Sequence, residues 1–155
     1  VTAPEGSEHP SSIQRALDIV GDRWTILILR NVFRGLHRFD DLRRDLAISR
    51  PVLADRLARL VDAGVLERRP YQDRPVRHEY RLTPMGLELS PILVALMRWG
   101  DTWLAGADGP GVVLVHGECG HPLDQALVCW TCNTTVTPLG IRARPTGPDL
   151  TGASS

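Results

Sequence analysis

The stretch AISRPVLADRLARLVDAGVLERR, Ala47 to Arg69, sets leucines at Leu53, Leu57 and Leu60 with arginines at Arg50, Arg56 and Arg59 between them. On a helix advancing about 100° per residue, Leu57, Leu60 and Val61 fall within roughly 80° of Leu53, so one stripe is core. Pro51, Val52, Asp55, Arg59 and Asp62 fall on the opposite side, with Arg56 on the flank. Ser49 is a suitable N-cap, Pro51 fits the first turn where its missing N–H is not needed, and Gly64 is the natural stop. The outer face therefore decides the function. It is either a solvated row of charges or a surface meant to touch a partner.

The flanking segments favour the second reading. Upstream, Ser11 or Ser12 caps a helix with Ile13, Ala16, Leu17 and Val20 on one face, ending near Gly21. The apolar run WTILILRNVF, Trp24 to Phe33, is expected to be a buried helix closed by Gly35, and Asp40 to Leu46 a short helix with Phe39 and Leu42 turned inward. Downstream, VLERRPY and RHEYRL are strand-like runs joined by the polar QDRPV, a hairpin. TPMG then opens a long helix, capped by Thr83, with apolar residues to about Leu104. The expected fold is mainly α with a β-hairpin wing (α+β), a winged helix-turn-helix, followed by a small β-rich extension resembling a zinc ribbon. Residues 1–10 read as a disordered lead-in and 11–104 as the main domain. A linker at 105–111, a Cys/His extension at 112–145 and a disordered tail at 146–155 follow.

A short helix, a tight turn and a capped second helix, with a hairpin directly after, is an arrangement suited to double-stranded DNA. A major groove admits one helix, whose N-terminal part and outer face meet base edges. Ser49, with the free N–H groups of the first turn beside Pro51, suits a phosphate. Arg50, Arg56 and Arg59 reach phosphates or the acceptor edge of guanine, and Asp55 either accepts from cytosine or orients Arg59. The hairpin tip QDRPVRH brings Arg74, Arg77 and His78 to an exposed corner, where a projecting Arg suits a minor groove.

The run from Ile13 to Gly86 closely resembles the HxlR-type winged-helix transcriptional regulators, relatives of the MarR group. The features that carry the resemblance are ALDIVGDRWT, RFDDL, ISRPVLADRLARL, GVLERRPY and HEYRLTPMG. The resemblance implies a homodimer built on the first helix and the long helix after TPMG, and a palindromic operator. Many members carry a cysteine just before the first helix that serves oxidant sensing in some. Here Ser11 or Ser12 stands there, which argues against sensing at that position. Independently, Leu93, Leu96, Met97, Trp99, Trp103 and Leu104 spread apolar surface around most of the long helix, which a small domain has trouble burying alone.

Charge is divided along the chain. Residues 11–104 hold 16 Arg against 12 acidic residues, net +4, and the remainder is net −4, although the whole chain sums to +0. Every basic residue is Arg, a side chain suited to bidentate phosphate and guanine contacts. No apolar run has the length of a membrane span and no signal-peptide pattern opens the sequence, so a cytoplasmic, nucleoid-associated bacterial protein is expected.

The three cysteines lie in the acidic remainder. His116-x2-Cys119 and Cys129-x2-Cys132 are two ligand pairs of zinc-ribbon spacing, with His121 as an alternate to His116. A closed His/Cys3 site would be structural, supplying folding energy to an appendage of roughly forty residues. A reduced CxxC in a hairpin and a Cys129–Cys132 redox pair are the other readings of the same residues.

The leading expectation is a repressor, not an enzyme, that leaves its operator when a small molecule enters a pocket near the dimer interface lined by Trp24, Trp99 and Trp103. A thiol or metal enzyme using the Cys/His cluster is the alternative, and a winged helix serving only protein contacts a third. Against catalysis, the sequence has no Gly-rich phosphate loop and no catalytic zinc pattern with an accompanying base.

Overall fold

Residues 11–106 and 109–143 are described by the computed structural model. The lead-in at 1–10 and the tail from 146 lie outside the described residues. The chain divides into two compact units, Val1–Ala107 and Asp108–Ser155, and the division falls inside the glycine-rich 105–111 segment.

Caps set the helix boundaries of the first unit. Helix α1 (Ser12–Val20) starts at Ser11, whose hydroxyl accepts from the Gln14 N–H while the Gln14 side chain accepts from the Ser11 N–H, a reciprocal capping box. Asp22 caps α2 (Arg23–Phe33), accepting from the Trp24 and Thr25 amides at 2.9 and 3.1 Å. Helix α3 (Phe39–Leu46) ends at Ala47 in the left-handed conformation, φ 49°, and α4 (Arg50–Asp62) begins three residues later. Helix α4 closes in a Schellman motif: the Val65 N–H donates to the Leu60 carbonyl and the Gly64 N–H to Val61, with Gly64 at φ +73°.

The hairpin of β1 (Leu66–Asp73) and β2 (Val76–Leu82) is tighter than the sequence reading. Gln72 pairs with Arg77 and Asp73 with Val76, so QDRPV is mostly ladder and only Arg74 and Pro75 form the turn. Polar residues are tolerated there because the strand ends face solvent. Pro70, which has no N–H for the ladder, sits beside a register shift that leaves Tyr71 as the extra residue. A third short strand segment was not foreseen: Arg38 bridges Glu79, and the Tyr80 N–H donates to the His37 carbonyl at 2.8 Å.

The long helix after TPMG is also corrected. Thr83 caps a single turn, α5 (Pro84–Leu87), and a second helix, α6 (Ser90–Trp103), starts afresh. Pro91 has no N–H for the Leu87 carbonyl and its ring crowds that carbonyl, so the hydrogen-bond ladder cannot run through. Gly86 is held so close to β1 that an added Cβ would lie 2.2 Å from the Val65 carbonyl oxygen.

The core is where α2, α3 and α4 meet the base of the hairpin. Ile28, Leu29, Leu42, Leu53, Leu57, Leu60, Val65 and Leu66 are all buried there, each side chain worth about 1.5–3 kcal/mol relative to exposure. Thr25 and Asn31 are the buried polar residues among those described, and Asn31 donates to Asp45 at 2.7 Å and accepts from Arg30. Helix α1 contributes only Val20; Ile13 and Leu17 of its apolar face are exposed.

The second unit is sparse. Val115 bridges Pro122, β3 (Val128–Cys129) pairs with β4 (Thr134–Thr135), and Pro138–Gly140 form a 3-10 turn. The expected extended segments VVLVH and ALVCW reduce to these short pairings. Ile141 to Ala143 of IRARP form no strand, and the rest of that segment lies outside the described residues.

Candidate nucleic-acid interface

Helices α3 and α4 and the turn between them form a helix-turn-helix. Buried Ile48 fastens the turn to the core, which leaves Ser49 and Pro51 exposed at the start of α4. Ser49 has cap-like backbone angles, φ −68° and ψ 146°, but its side chain makes no capping bond. Its hydroxyl is therefore free of the helix it precedes.

The three arginines of α4 differ. Arg50 lies over the Phe39 ring at 5.1 Å and reaches Asp40 at 3.4 Å, an exposed pair that a stronger anion can displace. Arg56 is turned inward with its side chain 22% exposed, and donates to both Asp22 carboxylate oxygens at 3.0 and 3.2 Å. It also meets Asp55 at 2.6 Å, so the anticipated Asp55–Arg59 pair is replaced by Asp55–Arg56. Burial works against ionisation of Asp22, but bonds from the Thr25 amide and from Arg56 prevail and hold its carboxyl below the ordinary value. Arg59 is exposed, and no side-chain hydrogen bond or ion pair engages it among the described residues.

Arg74 and Arg77 are exposed at and beside the hairpin turn. Between the hairpin and the start of α3 and α4 runs a groove of about 560 Å³. Five arginines line it, Arg38, Arg44, Arg50, Arg68 and Arg77, against Asp40 and Asp41. Arg38 stacks over Tyr71 at 4.5 Å, and Arg68 lies 2.9 Å from His78 Nδ1. Sequence reasoning missed Arg38, Arg44, Arg68 and Tyr71. The signal was the alternation of the strand: Arg68 pairs Tyr80 and Pro70 pairs His78 on the groove face. The other face carries Glu67, Arg69, Glu79 and Arg81, neutralised as Arg69–Glu67 and Arg81–Glu79 pairs. That face borders His37, whose Nδ1 is buried with no hydrogen-bond partner among the described residues. Burial, then the Arg81 charge, push its imidazole below the ordinary range against the pull of Glu79.

Trp24 packs on the core beneath Arg23, while Trp99 and Trp103 are exposed on α6. Neither the groove nor the cavity beside His37 is lined by them. In the second unit, His116 Nδ1 lies 3.2 Å from Cys119 Sγ, and Cys132 Sγ lies 2.9 Å from the Thr134 hydroxyl. The Cys132 amide and thiol hold the Cys129 thiol below its ordinary range. All three cysteines are free, and no group of three or more His, Cys, Asp or Glu is assembled as a metal site among the described residues.

The HxlR-like helix-turn-helix family profile matches residues 19–108, more than half of the chain. The chain belongs to the HxlR-like family. It is thus a DNA-binding helix-turn-helix transcriptional regulator. An uncharacterized HTH-type transcriptional regulator of Mycobacterium tuberculosis is 46% identical over 137 residues, covering 88% of this chain and 86% of that protein. Among solved structures, the candidate transcription factor PA1607 superposes with a TM-score of 0.81 at 31% identity, over 90% of this chain and 97% of that one. The redox regulator HypR in its oxidized form gives a TM-score of 0.55 at 29% identity, over 59% of this chain and 96% of its own. This HxlR-like chain has no cysteine before Cys119, and Ser11 serves as a helix cap. Among the described residues, no helix is long and apolar enough to cross a membrane.

Proposed function

We infer that this regulator binds a palindromic operator as a homodimer, acts at the nucleoid as a repressor, and works by binding rather than by chemistry. The observation that carries the reading is the uncommitted Arg59 on the face of α4 opposite its leucine stripe. In this reading Arg59 meets a guanine edge in the major groove, while Arg50 and the Ser49 hydroxyl take phosphates. Arg74 and Arg77 enter the flanking minor groove, and the arginine-lined groove between α4 and the hairpin follows the backbone. Arg56 and Asp55 set the pose of α4 rather than touch bases.

The dimer is supported by apolar surface on two helices. Ile13 and Leu17 of α1, and Ile92, Leu96, Trp99 and Trp103 of α6, are each more than half exposed, more than single scattered residues explain. A two-fold pairing through them would set the α4 helices about 34–36 Å apart, one turn of DNA. A small apolar effector held by Trp24, Trp99 and Trp103 at that interface would alter the spacing and release the operator.

Selection from a randomised duplex pool, followed by anisotropy titration of the enriched and a scrambled duplex, tests this. The expected outcome is a two-fold-symmetric enriched site bound far more tightly than the scrambled one. A monomeric mass at micromolar concentration, or an enriched site without symmetry, would contradict the dimer.

A further inference from the structure

The second unit holds defined turns without a core. None of its described residues is buried, and only Leu114, Cys129 and Val136 are half-buried. Leu123, Leu127, Trp130 and Leu139 stand exposed. A segment that buries so little apolar surface lacks the main term that offsets the entropy of ordering its backbone. Another source of folding energy is required.

Two turns in this unit are copies of each other in geometry. The first opens at His116, reaches Cys119, and closes with the Gly120 N–H donating to the His116 carbonyl at 2.8 Å. The second opens at Cys129, reaches Cys132, and closes with the Asn133 N–H donating to the Cys129 carbonyl, also at 2.8 Å. The residue that follows the closing cysteine, Cys119 or Cys132, is left-handed in both, φ +70° at Gly120 and φ +51° at Asn133. Each turn is bracketed by a minimal antiparallel pairing, Val115 with Pro122 and β3 with β4. Glycine and asparagine are the two residues that take this conformation most readily, so both turns end on a residue suited to the same shape.

We propose that the two turns are the halves of one zinc site, formed by His116, Cys119, Cys129 and Cys132, and that the metal holds the second unit folded. An imidazole and three thiolates are a donor set that selects zinc over magnesium or calcium. Four protein ligands leave no open position, so the site is structural rather than hydrolytic. His121 lies past the left-handed Gly120, outside the turn that has its counterpart at Cys129 to Cys132, and its carbonyl accepts the His116 N–H at 2.9 Å. The His116 imidazole lies 3.2 Å from Cys119 Sγ in one turn, Cys129 and Cys132 flank the other, and no larger group is assembled among the described residues. Drawing the pairs together is the step that couples binding to folding.

The full chain, purified under reducing conditions without added zinc, tests the proposal by elemental analysis. One zinc per chain is expected. His116→Ala, Cys119→Ser, Cys129→Ser and Cys132→Ser should each weaken retention against a chelator at least tenfold, whereas His121→Ala should not. His116→Cys should keep the metal, and after exchange to cobalt should strengthen the thiolate-to-metal charge-transfer absorption, a readout that separates ligation from general unfolding. Chelation should release amide protection in 112–143 and leave α2 to α4 unchanged. The proposal is overturned by a metal-free chain whose second unit stays protected. It is equally overturned by zinc held through Cys129 and Cys132 regardless of His116 and Cys119, or by a Cys129–Cys132 disulfide in the isolated protein.

Discussion

The inner and outer faces of α4 use the same residue types for opposite ends. Arg56 and Arg59 are three positions apart, yet Arg56 is bound to the cap of α2 through Asp22, while Arg59 faces solvent unpaired among the described residues. The leucines behind them are fully buried. Availability for DNA thus depends on what stands opposite each side chain, not on charge or spacing within the helix. An arginine that fixes the helix and one that reads from it can be neighbours.

That contrast can be broken by substitution. Leu57→Ala, on the inner face, should cost about 2–5 kcal/mol in denaturant unfolding, since it leaves a cavity among Leu53, Leu60 and α2. A loss below 1 kcal/mol would mean that α4 is not anchored by this stripe.

Arg56→Ala should cost about 1–3 kcal/mol of stability, because it strips charged hydrogen bonds from Asp22. The effect carries a pH signature. Asp22 titrates below its ordinary 3.8 in the folded chain, so its contribution is present above that value and lost as pH falls through the lowered one. Unfolding curves of wild type and Arg56→Ala should therefore converge in acid. A gap independent of pH would detach Arg56 from Asp22.

Arg59→Ala should leave stability within about 0.5 kcal/mol and lower discrimination between enriched and scrambled duplex by about 1–3 kcal/mol. Equal weakening on both duplexes would make Arg59 a phosphate contact. The smallest effects separate the two serines. Ser11→Ala should cost about 1 kcal/mol, having a capping box to lose. Ser49→Ala, with no capping bond, should be near neutral in thermal unfolding yet weaken DNA binding on every sequence.

Much of the first unit was legible in sequence because its signals are local. Ser11, Thr83, Gly64 and the leucine stripe each act within a turn or two of their own position. What escaped depends on distant partners. Arg56 lay on the flank of the helical wheel, and only Asp22, 34 residues away, turns it inward. The groove arginines Arg38 and Arg44, at the cap and in the body of α3, meet Arg68 of β1 only in the fold. The break before α6 was readable, since Pro91 stands in the sequence, but the apolar run on either side hid it. In the second unit the ligand spacing was plain, while the matching left-handed turns at Gly120 and Asn133 needed the backbone.

The central claim is that α4 presents Arg59 to DNA. Its most direct test is a salt-series anisotropy titration of wild type and Arg59→Ala on the enriched and scrambled duplexes. Wild type should lose affinity steeply with salt on both duplexes, preferring the enriched one throughout, and Arg59→Ala should keep the affinity for scrambled DNA while losing much of that preference. Undiminished preference in Arg59→Ala, or wild-type binding indifferent to salt, would contradict the account.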